Sequence, residues 1–332
     1  MVEYIKIPGT EIEVSRIAIG TWAIGGWMWG GTDEKESIEA ILKGLDMGLN
    51  LIDTAPVYGF GLSEEIVGKA VKEYGNRDKV IIATKVGLEW DDKHSKIWRN
   101  STKERIFKEI EDSLKRLQTD YIDIYQIHWP DTKTPFEETA EAMYKLYKEG
   151  KIRAIGVSNY SPQQMEEFRE VAPIHTNQPP YNLFERQIEK DVIPYCEKNN
   201  IALLFYGAIC RGLLSGKINK NTKFEGDDLR KVDPKFQEPR FSEYLNAVEE
   251  LDKYAQERFG KRVIHLAVRW ILDKSPLGIA LWGVRKKEHL NDVPEVFGWH
   301  LSEEDFKNID EIINKNIKNP VGSEFMAPPE RT

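Results

Sequence analysis

Gly150-Lys151-Ile152-Arg153-Ala154-Ile155-Gly156-Val157-Ser158-Asn159 decides how this chain is read. A glycine closes the amphipathic stretch 135–149, in the place where the end of a helix takes a left-handed residue. Residues 154–158 then form a short run, apolar on consecutive positions, as in a parallel strand buried on both faces. A polar pair, Ser158-Asn159, ends the run. The ten residues therefore spell helix end, strand and polar strand end.

The same unit recurs along the chain. Apolar runs of this kind cover 16–20, 51–54, 80–85, 122–128, 154–158, 175–178, 202–206 and 278–282. Helix-spaced apolar positions fill 34–47, 63–74, 103–117, 135–149, 162–171 and 190–199, and Gly48, Gly75 and Gly150 follow three of these stretches. Eight strands alternating with helices, with no break in composition, predict a closed (β/α)8 TIM barrel, with a doubly wound open sheet as the competitor. Around Pro8-Gly9-Thr10, Tyr4-Ile5-Lys6-Ile7 and Ile12-Glu13-Val14 read as an N-terminal β-hairpin. Residues 217–239 read as a charged loop inserted after strand seven. Helices over 242–259 and 262–273 precede strand eight, a last helix covers 302–314, and a Pro-rich extended tail covers 319–332. No repeat or linker divides the chain, so residues 1–332 are expected to form a single domain.

Length and composition agree. The 332 residues are 40% hydrophobic and 31% charged, as in an ordinary globular protein. A net charge of −8 argues against nucleic acid as a partner. No apolar stretch is long enough to cross a membrane, so no membrane partner is expected. Met1 to Pro8 carry no apolar leader core, and the two cysteines, Cys196 and Cys210, make neither a disulfide framework nor a zinc pattern. A cytoplasmic location and no bound metal are expected. The sequence leaves the oligomeric state open.

In a barrel, chemistry gathers at the C-terminal ends of the strands. The ends here are Asp53-Thr54 with Tyr58 just beyond, Thr84-Lys85, His128-Trp129, Ser158-Asn159, Asn177-Gln178, Tyr206, and Gly283 with Arg285. Reduction of a carbonyl builds negative charge on its oxygen, and an acid must supply a proton. A phenol has a pKa of about 10 and needs help to shuttle protons near neutrality. An ammonium beside it favours the phenolate, a carboxylate holds the ammonium, and an imidazole orients the carbonyl. Tyr58, Lys85, Asp53 and His128 supply these four groups from separate strand ends. Taken singly, each has a plainer explanation: a helix cap, a structural ion pair, a core histidine, a packed ring.

Asp53-Thr54-Ala55-Pro56-Val57-Tyr58-Gly59 resembles the aldo-keto reductase signature around the catalytic aspartate and tyrosine. Ala83-Thr84-Lys85 resembles that family's lysine strand, and residues 121–130 its histidine strand. Residues 150–159 resemble the stretch ending in its carboxamide-binding Ser-Asn pair, and Asn177-Gln178-Pro179-Pro180-Tyr181-Asn182 the next cofactor motif. The whole chain looks most like the bacterial general-stress type within the family. The resemblance implies a cytosolic oxidoreductase that passes a hydride between NADPH and a small-molecule aldehyde or ketone, with Asp53, Tyr58, Lys85 and His128 catalytic.

It also implies the cofactor site. Gly20, Thr21, Trp22 and Asp53 would border it, and Ser158, Asn159 and Gln178 would hold the carboxamide. Tyr206 is either a core aromatic or the surface on which the nicotinamide stacks. The segment from Gly207, Ala208, Ile209, Cys210 and Arg211 to Lys217 resembles the family's pyrophosphate loop, although Gly-Ala stands where relatives commonly have Ser-Pro. Lys217 and Arg230 would reach phosphates. Gly283, Val284 and Arg285, at an expected helix start, would hold the 2′-phosphate and favour NADPH over NADH. His289 stands where relatives often have glutamine at the adenine end. Gly59-Phe60-Gly61-Leu62-Ser63-Glu64 lacks the third glycine of a Rossmann loop. Trp22, Trp27, Trp29, Trp90, Trp98 and Trp129 suggest an aromatic-walled substrate pocket. Two other readings remain: a barrel aldolase with Lys85 as Schiff-base nucleophile, and a non-catalytic NADPH-binding regulatory subunit.

Overall fold

The computed structural model describes residues 1–331. β1 (Tyr4–Lys6) and β2 (Glu13–Ser15) pair antiparallel as the expected hairpin. Next come β3 (Ile17–Gly20), α1 (Glu34–Asp46), β4 (Leu51–Asp53), α2 (Leu62–Tyr74) and β5 (Ile81–Val86). An unexpected second hairpin follows, β6 (Leu88–Trp90) against β7 (Ile97–Arg99). Then run α3 (Lys103–Leu117), β8 (Ile122–Ile127), α4 (Phe136–Lys148), β9 (Ile152–Ser158), α5 (Pro162–Arg169), β10 (Thr176–Gln178), α6 (Val192–Lys198) and β11 (Ala202–Phe205). The helices α7 (Arg240–Phe259) and α8 (Val263–Lys274) precede β12 (Gly278–Gly283), and α9 (Glu303–Asn316) is last.

The eight parallel strands β3, β4, β5, β8, β9, β10, β11 and β12 close into one barrel. The seam joins β12 to β3, with Ala280 opposite Ile17 and Gly283 opposite Gly20. No open-sheet edge is left, so the doubly wound alternative is excluded.

Two apolar cores explain why each strand reads as a continuous hydrophobic run. On β5, Ile81 and Ala83 face the barrel interior with Ala18, Leu51, Ile124, Ala154, Leu204 and Ile279. Ile82 and Val86 face outward into the helical layer with Ile66, Val67 and Ile110. Each fully buried aliphatic side chain contributes about 1.5–3 kcal/mol. Ile7, Ile12 and Val14 of the first hairpin join the interior core and close its lower end.

The helices start where their caps dictate. Asp33 accepts from Glu36 N ahead of α1. Ser161 and Gln164 form a reciprocal capping box ahead of Pro162. Gly48, Gly75 and Gly150 all take positive φ, as their positions after helices foretold.

Two loop segments depart from expectation. The loop 217–239 holds two 3-10 turns, Leu229–Lys231 and Pro234–Phe236, and reaches back to the loop after β3. There Asp227 accepts from Met28 N at 2.7 Å and Gly30 N at 3.1 Å, and Leu229 N donates to Met28 O at 3.0 Å. The tail expected over 319–332 is pinned down rather than merely extended; its last residue, Thr332, lies outside the described residues. Lys235 Nζ donates to Gly322 O at 2.7 Å, Arg99 Nε to Pro328 O at 2.9 Å, and Arg331 Nη2 to Thr134 Oγ1 at 2.9 Å. No helix among the described residues is long and apolar enough to cross a membrane.

Candidate active site

Strand pleating builds the site. Side chains alternate faces along a strand, so Lys85 shares the inner face with Ile81 and Ala83. By the same count Gly20, Asp53, His128, Ser158, Gln178, Tyr206 and Gly283 crown the barrel interior. They surround a cavity of about 1410 Å³. Single-ligand pockets usually measure roughly 300–1,000 Å³, so a dinucleotide and a small substrate can share this one.

At its floor, Lys85 Nζ lies 2.9 and 2.8 Å from the two Asp53 carboxylate oxygens, 2.9 Å from Thr54 O and 3.3 Å from Tyr58 OH. The lysine is fully buried and the Asp53 side chain is 4% exposed. The Tyr58 and His128 rings lie 5.8 Å apart, edge to face. Phenol, ammonium and imidazole therefore converge at one mouth of the barrel.

The electrostatics differ from the simplest expectation. Burial pushes the Tyr58 phenol well above its usual pKa, and Asp53 and then Tyr206 push it further. Lys85 Nζ, held by Asp53, still reaches the phenol oxygen at 3.3 Å. Burial also lowers the Lys85 pKa, against the pull of Asp53 and Glu64. Burial, then Lys85, hold His128 well below the ordinary imidazole value. At neutral pH the site presents a protonated phenol and a neutral imidazole.

Close backbone packing holds Tyr58 in place. Gly59 has φ +65°, and a Cβ there would lie 2.1 Å from Gly25 O; a Cβ at Gly25 would lie 2.5 Å from the Tyr58 carbonyl carbon. Gly59→Ala is therefore expected to displace the Tyr58 turn and lower both kcat and the thermal midpoint, as steady-state assays and a melting curve would record. An unchanged kcat would show that Tyr58 needs no such support. Trp22 stacks on Tyr58 at 6.0 Å. Trp22, Trp27, Trp29, Trp98 and Trp129 line the cavity, whereas Trp90 does not and packs on Phe60 and Arg105.

Of the residues expected to meet a cofactor, Gly20, Thr21, Trp22, Asp53, Ser158, Asn159, Gln178, Tyr206, Gly207, Ala208, Ile209, Arg211, Lys217, Arg230, Gly283, Val284, Arg285 and His289 all line this cavity. Cys210 does not: its thiol is fully buried, and burial pushes its pKa up to about 12. Arg211 borders the cavity, but its guanidinium turns away to Glu185 and Asp233, both at 2.5 Å. Lys235 Nζ joins that buried cluster 2.8 Å from Glu185. Two anions and two cations compensate one another there, which leaves Arg211 no free charge for a phosphate.

Arg230 pairs with Asp228 at 2.5 Å and lies over Phe224. Arg285 donates to Trp29 O at 2.9 Å and Gly31 O at 2.6 Å. The expected helix start there is only a short 3-10 turn, Lys287–Leu290. Lys286 and Lys287 pair with Glu36 and Glu39 of α1.

Among the polar strand ends, Asn159 takes φ +61°. Its Nδ2 donates to His128 O at 3.2 Å, and its Oδ1 accepts from Tyr206 OH at 3.0 Å. Ser158 Oγ donates to Gln178 O at 2.7 Å. The sequence reading missed one wall of the cavity: Phe325, Met326, Pro328, Pro329, Glu330 and Arg331 of the tail. It also missed the tip of the second hairpin, His94 to Lys96, which lines the cavity too. Neither segment carries a motif; the cation–carboxylate pair Arg99–Glu330, 3.0 Å apart, joins residues too distant in sequence to pair by inspection.

A barrel with a buried Asp-Lys-Tyr cluster and a neutral histidine at its mouth is suited to carbonyl oxidoreduction. Residues 16–314 match the aldo/keto reductase family, and the chain belongs to it. Members of this family are oxidoreductases that act on small-molecule carbonyl compounds and use a nicotinamide cofactor.

The chain is 62% identical over 329 residues to aldo-keto reductase YhdN of Bacillus subtilis (strain 168), covering 99% of each chain. It is 36% identical to the NADH-specific methylglyoxal reductase of Escherichia coli (strain K12), over 90% of this chain and 95% of that one. Among solved structures, the glycerol dehydrogenase AKR11B4 from Gluconobacter oxydans superposes with a TM-score of 0.88 at 56% identity, covering 98% and 99% of the two chains. An aldo-keto reductase from Klebsiella pneumoniae in complex with NADP and acetate gives a TM-score of 0.71 at 28% identity, over 94% and 97%.

Proposed function

We propose that the chain, acting as a single domain, reduces aldehydes and ketones to alcohols with NADPH, using Asp53, Tyr58, Lys85 and His128. The observation that carries this is the contact of Lys85 Nζ with both Asp53 and Tyr58 OH at the cavity floor. When bound, the nicotinamide supplies the hydride. Tyr58 gives its proton to the carbonyl oxygen as charge builds there. Lys85, 3.3 Å from the phenol oxygen, steadies the negative charge that the tyrosine is left with. His128, neutral, orients the carbonyl by a hydrogen bond, and its charge state stays constant across the physiological range.

The residues around the cavity fit the cofactor. Ser158, Asn159 and Gln178 stand together for the carboxamide, and the Tyr206 ring for the nicotinamide face. The backbone of 207–209 suits the pyrophosphate, and Lys217, Arg230 and Arg285 suit the phosphates. The paired guanidinium of Arg211 fits a supporting role better. The solved relative with NADP bound favours NADPH, while the Escherichia coli relative is NADH-specific, so this choice rests on Arg285 and its neighbours. A Schiff base on Lys85 is disfavoured, since Nζ is enclosed by both Asp53 carboxylate oxygens, Thr54 O and Tyr58 OH, which leaves it no open approach for a carbonyl carbon.

The test is NADPH absorbance across a panel of aldehydes and ketones, with NADH as the comparison. Turnover with NADPH is expected; no turnover of any carbonyl would point to the non-catalytic alternative. In Arg285→Ala the KM for NADPH is expected to rise about tenfold, the loss of one charge-assisted hydrogen bond, with the NADH KM little changed. An equal effect on both cofactors would remove Arg285 from 2′-phosphate recognition.

A further inference from the structure

The amide of Gln178 is fixed from below. Its Nε2 donates to Asp53 Oδ1 at 2.7 Å and to Gln126 Oε1 at 3.3 Å. Both partners are acceptors, so the nitrogen must point into the barrel; the reverse orientation would set oxygen against oxygen. Gln126 is fully buried and lines no part of the cavity. It sits opposite Gly156 of β9, where a Cβ would lie 2.6 Å from Gln126 Cγ and 2.3 Å from Thr176 Oγ1. Glycine at that position gives Gln126 room to lean across to β10. The other end of Gln126, its Nε2, is buried with no side chain or backbone group to receive it, so the side chain's one hydrogen bond within the protein is the one its Oε1 accepts from Gln178.

We propose that Gln178 is a positioning residue for the proton donor: through Asp53 it sets how readily Tyr58 releases its proton, and Gln126 holds it there. This rests on the reading of Tyr58 as the donor. Tyr58 is faced by Asp53 of β4, Lys85 of β5, His128 after β8 and Tyr206 after β11, while Glu64 of α2 acts on Lys85. Of these, Asp53 is the charge that most opposes the phenolate. The positive end of the Gln178 N–H, 2.7 Å from that carboxylate, offsets part of its potential. Without the N–H, the phenolate forms less readily and the Tyr58 pKa rises. Alcohol oxidation needs the phenolate to accept a proton, so it shifts to higher pH. Carbonyl reduction needs the phenol, so it holds its rate near neutrality.

The experiment uses the full chain with Gln178→Met and, separately, Gln126→Leu. For each, kcat is measured in both directions at saturating NADP⁺ or NADPH, from about pH 6 to about pH 10, along the limb where oxidation gains roughly tenfold per pH unit below the raised phenol pKa. The oxidation curve of Gln178→Met is expected to move up by about one pH unit, a roughly tenfold loss of rate at neutral pH. Gln126→Leu, whose side chain lines no part of the cavity, should move its oxidation curve the same way by a smaller amount and keep reduction near the parent rate, while Gln178→Met, which also gives up a cofactor contact, is read by the pH position of its oxidation curve relative to its reduction curve. If Gln178→Met does not fold, Gln126→Leu decides alone. A residue that only touches the cofactor would raise the cofactor KM and scale both directions alike. That result, or oxidation curves that do not move, overturns the proposal. Failure of the underlying reading looks different: Tyr58→Phe would then reduce aldehydes as fast as the parent.

Discussion

Tyr58→Phe is expected to reduce a simple aldehyde roughly 10²–10⁴-fold more slowly than the parent chain, the usual contribution of a positioned proton donor. Its affinity for NADPH should be essentially unchanged. The substitution removes one oxygen and keeps the ring that packs under Trp22, so neither the cavity nor the fold has reason to change. NADPH absorbance reports the rate, and quenching of tryptophan fluorescence reports binding. A parent-like rate in this variant would remove the phenol from the mechanism.

Lys85→Met should be the most damaging single change to stability in the site. It leaves Asp53 buried without its cation, with only the Gln178 amide beside it. Breaking a buried pair from one side typically costs about 3–5 kcal/mol, which a urea unfolding curve would show. Turnover should fall as well, because nothing then steadies the phenolate. Adding Asp53→Asn removes the stranded charge, so the double variant should recover stability without recovering turnover. If the single variant unfolds at the parent's urea concentration, the pair does not carry the load assigned to it here.

Much of the barrel could be read from the residues, because burial on both faces leaves a mark that needs no distant partner. The run 80–85 became β5 (Ile81–Val86) and the run 122–128 became β8 (Ile122–Ile127). The polar ends of the runs also marked Lys85, His128, Ser158 and Gln178 for one mouth, where the cavity now has His128, Ser158 and Gln178 in its lining. What escaped depended on pairs far apart in sequence. The strands β6 and β7 have only three residues each, too short for a period to show. The tail became a cavity wall through Arg99, Lys235 and Thr134. Within the segment expected to wrap the pyrophosphate, Arg211 spends its guanidinium on Glu185 and Asp233, partners 26 and 22 residues away. The raised pKa of Tyr58 is hidden in the sequence for a similar reason: the burial that chiefly causes it depends on the whole barrel mouth.

The closed cylinder also governs how the chain meets its neighbours in a crowded solution. Unpaired strand margins are templates for intermolecular β-pairing, and a circular sheet has none to offer. Outside the cylinder, β7 lies under the tail, with Arg99 bridged to Glu330. The first hairpin carries Lys6, Glu11 and Glu13 along its rim, charges that deter stacking of a second strand. The same terminal segment that walls the cavity therefore also covers the margin of β7.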